Sequence, residues 1–435
     1  MKVVIIGAGI IGVSSAYALA KRGHDVIVIE RRGAPGLETT YANGALLTPS
    51  MADPWNAPGC WKVLLGSLCR EDSPLQLRLK ALPSLTRWGP SFLKSANPVA
   101  FKRNRVKNLR LAQYSLNILG QWRAVTGISY CRSERGTLKL FRNHKAHEEA
   151  LEVAAALADE GIQSRRLTLP ELLAFEPALA PISKGIAGAI LYPEDETGDA
   201  YQFCVALAER AKAEGAAFLF NQTVGPLRVE HGQLVCLDLV DQRLRADRYV
   251  IAAGSYISPL LQLSGLNLPV TPVKGYSLTV FDGLSHCALR APLVDDSLHV
   301  VVVPLGSDLR VAGTAEFAGF DLSLRKARLS NLATQLSQIL PILPMSTARI
   351  RPWCGLRPMS TDGVPIVSAT PIANLYVNCG HGHLGWTTAA GSAELLADLL
   401  DEKAPTVDAS AYSLARFGQK TTRAKYPRRN GDGVL

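Results

Sequence analysis

The sequence has no apolar run of membrane-spanning length, no C-x-x-C pair among its eight cysteines, no internal repeat and no low-complexity tract. The first absence argues against a transmembrane helix, which needs about 18 or more consecutive apolar residues. The amino terminus enters an apolar strand at once, which leaves no room for a cleavable secretory signal, so a location on the cytosolic side is expected. The cysteines, at 60, 69, 131, 204, 236, 287, 354 and 379, form no regular framework and are expected to be reduced structural thiols. Cys379, His381 and His383 alternate and would share a strand face, but no second ligand cluster accompanies them, so no metal is expected. Acids are outnumbered, 37 against 47 lysines and arginines.

What is present is a 435-residue chain with a hydrophobic share of 47% and a charged share of 19%, values of a folded protein of two or three domains. Nearly all of the net charge of +10 falls between residues 60 and 110, where lysine and arginine far outnumber Glu71 and Asp72. Trp61, Trp88, Phe92 and Phe101 interleave with that charge, the mixture of a segment lying on an anionic membrane surface. A solvated cationic face is the alternative. No nucleic-acid-binding motif accompanies the charge, so nucleic acid is not expected as a partner.

Residues 2 to 6, 11 to 21 and 25 to 30 read as strand, helix and strand, a βαβ opening with a buried parallel sheet. Past residue 50 the pattern changes to proline- and tryptophan-containing segments and then helices near 104 to 126 and 146 to 160. Beyond 186 come a helix at 200 to 214, short strands and the apolar run 247 to 256. Alternating, β-branched runs between 270 and 313 favour an antiparallel sheet. A helix near 324 to 340, a strand at 375 to 379 and a helix at 385 to 401 close the fold. The expected architecture is a discontinuous α/β Rossmann-like nucleotide domain (1–60, 183–270, 350–415) plus an α+β domain with an antiparallel sheet (61–182, 271–349). A basic tail, 416–435, is expected to be mobile or surface-associated.

Gly7, Gly9 and Gly12 stand in G-x-G-x-x-G register between strand and helix, and Glu30 ends the next strand. A tight turn, close approach of backbone to a pyrophosphate and close helix packing each require a glycine, and the acid takes ribose hydroxyls. A dinucleotide is therefore expected. Three features favour FAD over NAD: short hydroxyls and Asn43 in ETTYANGALLTP at 38 to 49; VIAAGS at 250 to 255, an apolar strand ending in small residues; and the turn GHGHLGWT at 380 to 387, which aims a helix start at a ring that becomes anionic on reduction. Arg357, in GLRP, can meet a carboxylate with two parallel hydrogen bonds. An internal salt bridge to Asp362 is the other reading of that residue.

These blocks, with VVIIGAGIIGVSSAYALAKRGHDVIVIERR, GTLKLFR at 136, EDETGD at 194 and PVKGYSLT at 272, resemble the bacterial FAD-dependent D-amino acid dehydrogenase small-subunit family, within the D-amino acid oxidase and glycine oxidase superfamily. The resemblance runs from residue 1 to about 417. It implies non-covalent FAD and oxidative deamination of D-amino acids to 2-oxo acids and ammonia. It also implies a membrane quinone or other respiratory acceptor, and hence a peripheral position on the inner membrane.

The implied FAD contacts are Gly7, Ala8, Gly9, Ile10, Ile11 and Gly12 at the first turn, then Glu30 and Arg31, then Thr39, Thr40 and Asn43. Val224, Ala253 and Gly254 follow in the middle of the chain, and Gly355, Gly382, Leu384, Gly385, Trp386 and Thr387 near its end. Arg357 is the implied carboxylate ligand, with Tyr276, His383 and His299 as further substrate contacts and no protein acid or base. Some relatives carry a tyrosine on the strand corresponding to LHVVVV, where here only His299 is polar. Two other readings stay open: a related amine oxidoreductase acting on D-proline, hydroxyproline, glycine or sarcosine, and an FAD-bearing interaction subunit of a larger complex. Oligomeric state is not legible.

Overall fold

A computed structural model of the chain describes residues 1–67, 73–262 and 264–419. Two sheets organise it. The first has six strands in the order Ile366–Ala369, Leu375–Cys379, Arg248–Ile251, Lys2–Ile6, Asp25–Ile29 and Ala217–Leu219. All of its pairs are parallel except the outer Ile366–Ala369. Helices cover it, and the helix Ile10–Ala20 is buried on nearly every side. Such a helix belongs in a core, and its glycine, serine and alanine positions let neighbouring helices approach.

The second sheet has nine strands. At one edge Ile350–Ser360 pairs antiparallel with Val270–Val280 over the full length of both, and Val270–Val280 pairs in turn with Asp308–Phe317. Beyond these lie Val300–Leu305, Leu293–Asp295, Thr137–Phe141, Gly188–Tyr192 and Arg165–Leu167, and the short Leu75–Leu77 joins Asp308–Phe317 from the side. The helix Lys326–Ile339 packs on one face of this sheet. The other face looks toward the six-stranded sheet, and the cavity lies between them.

Three segments sit differently from the sequence-based division. Residues 188–192 and 350–360, expected in the nucleotide domain, are strands of the nine-stranded sheet. The helix expected near 104 begins at Pro98: Asn97 accepts a hydrogen bond from the Ala100 amide, and proline is favoured at the first helical position, where its missing N–H costs nothing. This 29-residue helix packs along Gly385–Leu400, with Leu109 also in the cluster of Phe141 and Ile190 on the large sheet. The Gly391 amide donates to Ser115 Oγ at 3.0 Å, and a Cβ at Gly391 would sit 2.9 Å from Ser115, so glycine is what allows the crossing.

Candidate active site

At one end of the cavity the chain makes its site from backbone. Gly7 has φ +105°, and a Cβ there would lie 2.6 Å from the Ala252 carbonyl oxygen; a Cβ on Gly12 would lie 1.8 Å from the Gly7 carbonyl oxygen. Both positions therefore require glycine. Glu30 is buried and accepts from the Ala8 amide at 2.7 Å and the Arg32 amide at 2.9 Å, which fixes the turn from the side. Thr40 Oγ1 accepts from the Ile10 amide at 3.0 Å. The amides that follow, at Ile11 and Gly12, have no acceptor within the helix and are available to an anion. Arg31 stacks on Tyr256 with its guanidinium carbon 3.7 Å from the ring centre and pairs with Glu38 at 2.5 Å, forming the rim.

The cavity, about 730 Å³, runs from this turn past Thr39, Asn43 and the start of the helix Gly385–Leu400 to Arg357. Arg357 extends from Ile350–Ser360 across Gly275 of the neighbouring strand; a Cβ at Gly275 would be 2.5 Å from its guanidinium carbon. Its Nη1 donates to the Thr314 carbonyl at 3.3 Å, and the guanidinium lies over the Trp55 ring at 5.3 Å. Among the described residues no carboxylate lies within ion-pair reach of it. Asp362, the partner of the alternative reading, is held instead by Arg416 at 2.8 Å. Burial without a counter-charge pushes the Arg357 pKa down to about 10, so the group remains a cation at neutral pH while its solvation is poor.

The carbonyl that meets Arg357 is aimed by a break in the ladder. Gly275 pairs with Ala315 but Tyr276 pairs with Gly313, so Thr314 is an extra residue, a β-bulge. Thr314 has φ +57° and its buried hydroxyl has no partner among the described residues. A β-branched residue in the left-handed region is strained, and such strain collects at functional sites.

Residues 2–399 match the family described as FAD dependent oxidoreductase. The chain belongs to this family. D-amino acid dehydrogenase of Rhizobium johnstonii is 39% identical over 418 residues, 96% of this chain and 100% of that protein. D-amino acid dehydrogenase of Methylobacterium nodulans is 40% identical over 96% of this chain and 99% of its own. Among solved structures, glycine oxidase from Geobacillus kaustophilus shares the fold with a TM-score of 0.75 at 24% identity, covering 95% of this chain and 98% of that one. L-proline dehydrogenase from P. horikoshii gives 0.76 at 18% identity, covering 96% and 97%.

The residues of this FAD-dependent oxidoreductase fit its cofactor. The glycine turn forms a cradle that any Cβ would fill, and Gln222, unforeseen from the sequence, has a buried carbonyl oxygen without a partner among the described residues, in the cavity wall with Val224, Ala253 and Gly254. At the far end the first-turn amides of Gly385, Trp386 and Thr387 lack intrahelical acceptors and suit a ring that gains negative charge on reduction. Trp386 offers only its backbone: its ring packs on Phe203 at 4.9 Å and its indole N–H donates to the Gly198 carbonyl at 3.1 Å. Thr387 Oγ1 accepts from the Thr48 amide at 3.2 Å, and Asn43 Oδ1 accepts from the Ala45 amide at 2.9 Å, so both side chains shape the lining. Thr39 donates to the Leu356 carbonyl at 2.7 Å, joining the nucleotide loop to the strand that carries Gly355 and Arg357. Leu384 is buried behind the Gly382 turn.

The three further substrate contacts fare differently. His383 lines the cavity near Arg357, stacked on Trp55 at 5.5 Å, with Nε2 3.2 Å from the Met51 carbonyl. Burial, with a smaller push from Arg357, lowers its pKa to about 4, so it is neutral and Nε2 donates. His299 is exposed in the turn after Leu293–Asp295, in the left-handed conformation at φ +53°. Tyr276 borders the cavity, but its hydroxyl is engaged elsewhere. Its ring lies on the opposite side of Val270–Val280 from Gly275, against the Lys326–Ile339 helix, and its hydroxyl donates to Glu316 at 2.7 Å. Alternation along the strand dictates this. Among the described residues no group of three or more side chains forms a metal site.

Proposed function

We propose that the enzyme oxidises D-amino acids to 2-oxo acids and ammonia, passing the electrons to a membrane quinone or another respiratory acceptor. The observation that carries this reading is Arg357, a cation set over the cavity with no carboxylate of its own among the described residues. The near full-length relatives named D-amino acid dehydrogenase support it. An amino acid's carboxylate supplies the missing charge, and a buried bidentate pair compensates the desolvation that either group alone would bear. Met359, Trp55 and Leu64 keep the surroundings apolar, which favours the neutral amine whose lone pair assists departure of hydride from Cα. Bound FAD supplies the acceptor for that hydride pair of electrons. The resulting imino acid takes up water and releases ammonia. Neutral His383 orients and no protein base is invoked, so catalysis rests on alignment. The test is anaerobic bleaching of the flavin by D-alanine, D-proline, glycine and L-isomers, in wild type and in Arg357→Ala. Bleaching by D-amino acids in wild type only is expected; equal bleaching in the variant overturns the role of Arg357.

For the acceptor, the supporting feature is the segment 60–103. It exposes Trp61, Leu79, Leu82 and Leu93, with Lys62, Lys80, Arg87, Lys94, Lys102 and Arg103 exposed along the same stretch. Trp88 and Phe92, expected at a membrane, are instead buried, stacked at 4.6 Å, with the Trp88 indole donating to the Met359 carbonyl. No described helix is long and apolar enough to cross a bilayer. Binding to anionic vesicles that falls with salt is expected; no binding in low salt would remove the membrane from this reading.

A further inference from the structure

The cavity continues past Arg357 into a chamber that the cofactor site does not use. Strand register defines its floor. Gly355 lies opposite Gly275, Gly275 opposite Ala315, and Ala315 opposite Leu75, a row across four strands. Cavity-facing residues recur every second position, so Arg357 and Phe317 stand in the next row. The guanidinium occupies the space over Gly275. Beyond it the floor is the Ala315 methyl, and Leu75, Phe317, Phe92 and Leu64 form the walls.

Among the described residues these walls carry no charge. Apart from Arg357, the charged cavity residues described lie elsewhere: Glu30, Arg31 and Glu38 at the nucleotide end, and Asp295, Lys139 and Asp296, the last two paired at 2.9 Å, in and beside strands three and four places from Val270–Val280. At 4.7–4.9 Å per strand that is roughly 15 Å or more from the guanidinium's floor. An amino acid held by its carboxylate on Arg357 presents hydrogen, amine and side chain at Cα. An apolar chamber beside the carboxylate site is a poor home for the amine and a good one for a hydrocarbon side chain.

We infer that this chamber receives the substrate's side chain, so that the enzyme prefers D-amino acids with bulky apolar side chains and Ala315, Leu75 and Phe317 set the preference. The inference rests on the carboxylate role proposed for Arg357. Filling the chamber opposes large side chains and spares small ones, because one methylene in such a pocket is worth about tenfold or more in specificity.

The test uses the FAD-loaded enzyme with D-alanine, D-leucine, D-phenylalanine, D-aspartate and D-lysine, measuring kcat/KM and anaerobic flavin reduction. In wild type, kcat/KM is expected to rise at least about tenfold from D-alanine to D-leucine or D-phenylalanine. Ala315→Leu is expected to lower D-phenylalanine turnover by more than about tenfold with D-alanine changed only a few-fold. Leu75→Ala, which enlarges the chamber, guards against a folding defect and should shift preference toward still larger side chains. Preference for D-aspartate or D-lysine overturns the inference, as does an equal loss for all substrates in Ala315→Leu. If Ala315→Leu leaves every reduction rate intact but raises KM for a short-chain quinone, the chamber serves the acceptor and the inference also falls. If no D-amino acid reduces the wild-type flavin, it is the proposed function itself that fails, a result separate from any of these.

Discussion

The two ends of the cavity are built in opposite ways. At the nucleotide end six consecutive residues, Gly7 to Gly12, with Glu30 shortly after, make the site largely from main-chain groups, and its requirements are steric. At the arginine end Trp55, Leu75, Gly275, Thr314, Arg357 and His383 come from strands and loops spread over most of the chain, and their requirements are chemical. Backbone sites recognise what all dinucleotides share. Side-chain sites distinguish one substrate from another, and are free to change while the first end stays fixed.

Four experiments sharpen or break that contrast. Gly12→Val should be most severe, because its side chain would occupy the Gly7 carbonyl: purified protein should lack flavin absorbance altogether. Arg357→Ala should keep stoichiometric flavin while kcat/KM falls by about a thousandfold, as expected for loss of a buried charge-assisted pair of roughly 4 kcal/mol. If it loses flavin as Gly12→Val does, the two ends are one cooperative unit and the contrast fails.

Asp195 tests the loop between them. It is buried, accepts from Ser50 Oγ at 2.5 Å, and burial pushes its pKa up to about 7. The folded protein therefore holds a proton that the unfolded chain releases between about pH 4 and 7, so stability falls as pH rises through that window. Asp195→Asn should remove this slope, matching wild type near pH 4 and exceeding it at pH 8 by at most about 4 kcal/mol; parallel thermal melts across pH would contradict it. The smallest effect belongs to His383, neutral above about pH 4. The kcat/KM profile should show no limb near pH 6 to 7 in wild type, and His383→Gln, which keeps a donor toward Met51, should change kcat only a few-fold.

How much of this was legible in the sequence follows the same division. The βαβ opening, the FAD turn and Arg357 are carried by contiguous residues whose spacing states their geometry. Gly275 and Thr314 were not foreseen, because their meaning depends on which strand lies alongside. PVKGYSLT did contain a signal: alternation puts Gly275 and Tyr276 on opposite faces, so the residue beside Arg357 is the glycine. Trp88 and Phe92 looked like membrane anchors because aromatic residues among cations read alike whether they face lipid or core. The strand Ile350–Ser360 joins the large sheet through pairing with residues some eighty positions earlier, which no local pattern announces. Residues 420–435, most of the expected basic tail, lie outside the described residues, as do 68–72.

The bulge at Thr314 gives the proposed anion clamp an unusual genetic address. Deleting that one codon would let Gly313 and Ala315 close into a regular ladder, relieving a strained residue while withdrawing the carbonyl that holds Arg357. On the role proposed for Arg357, such a deletion should yield a folded yellow protein with a slack arginine, so that turnover is shed in a single inherited step. Lineages that have given up the reaction but kept the flavin would be expected to carry their scar there.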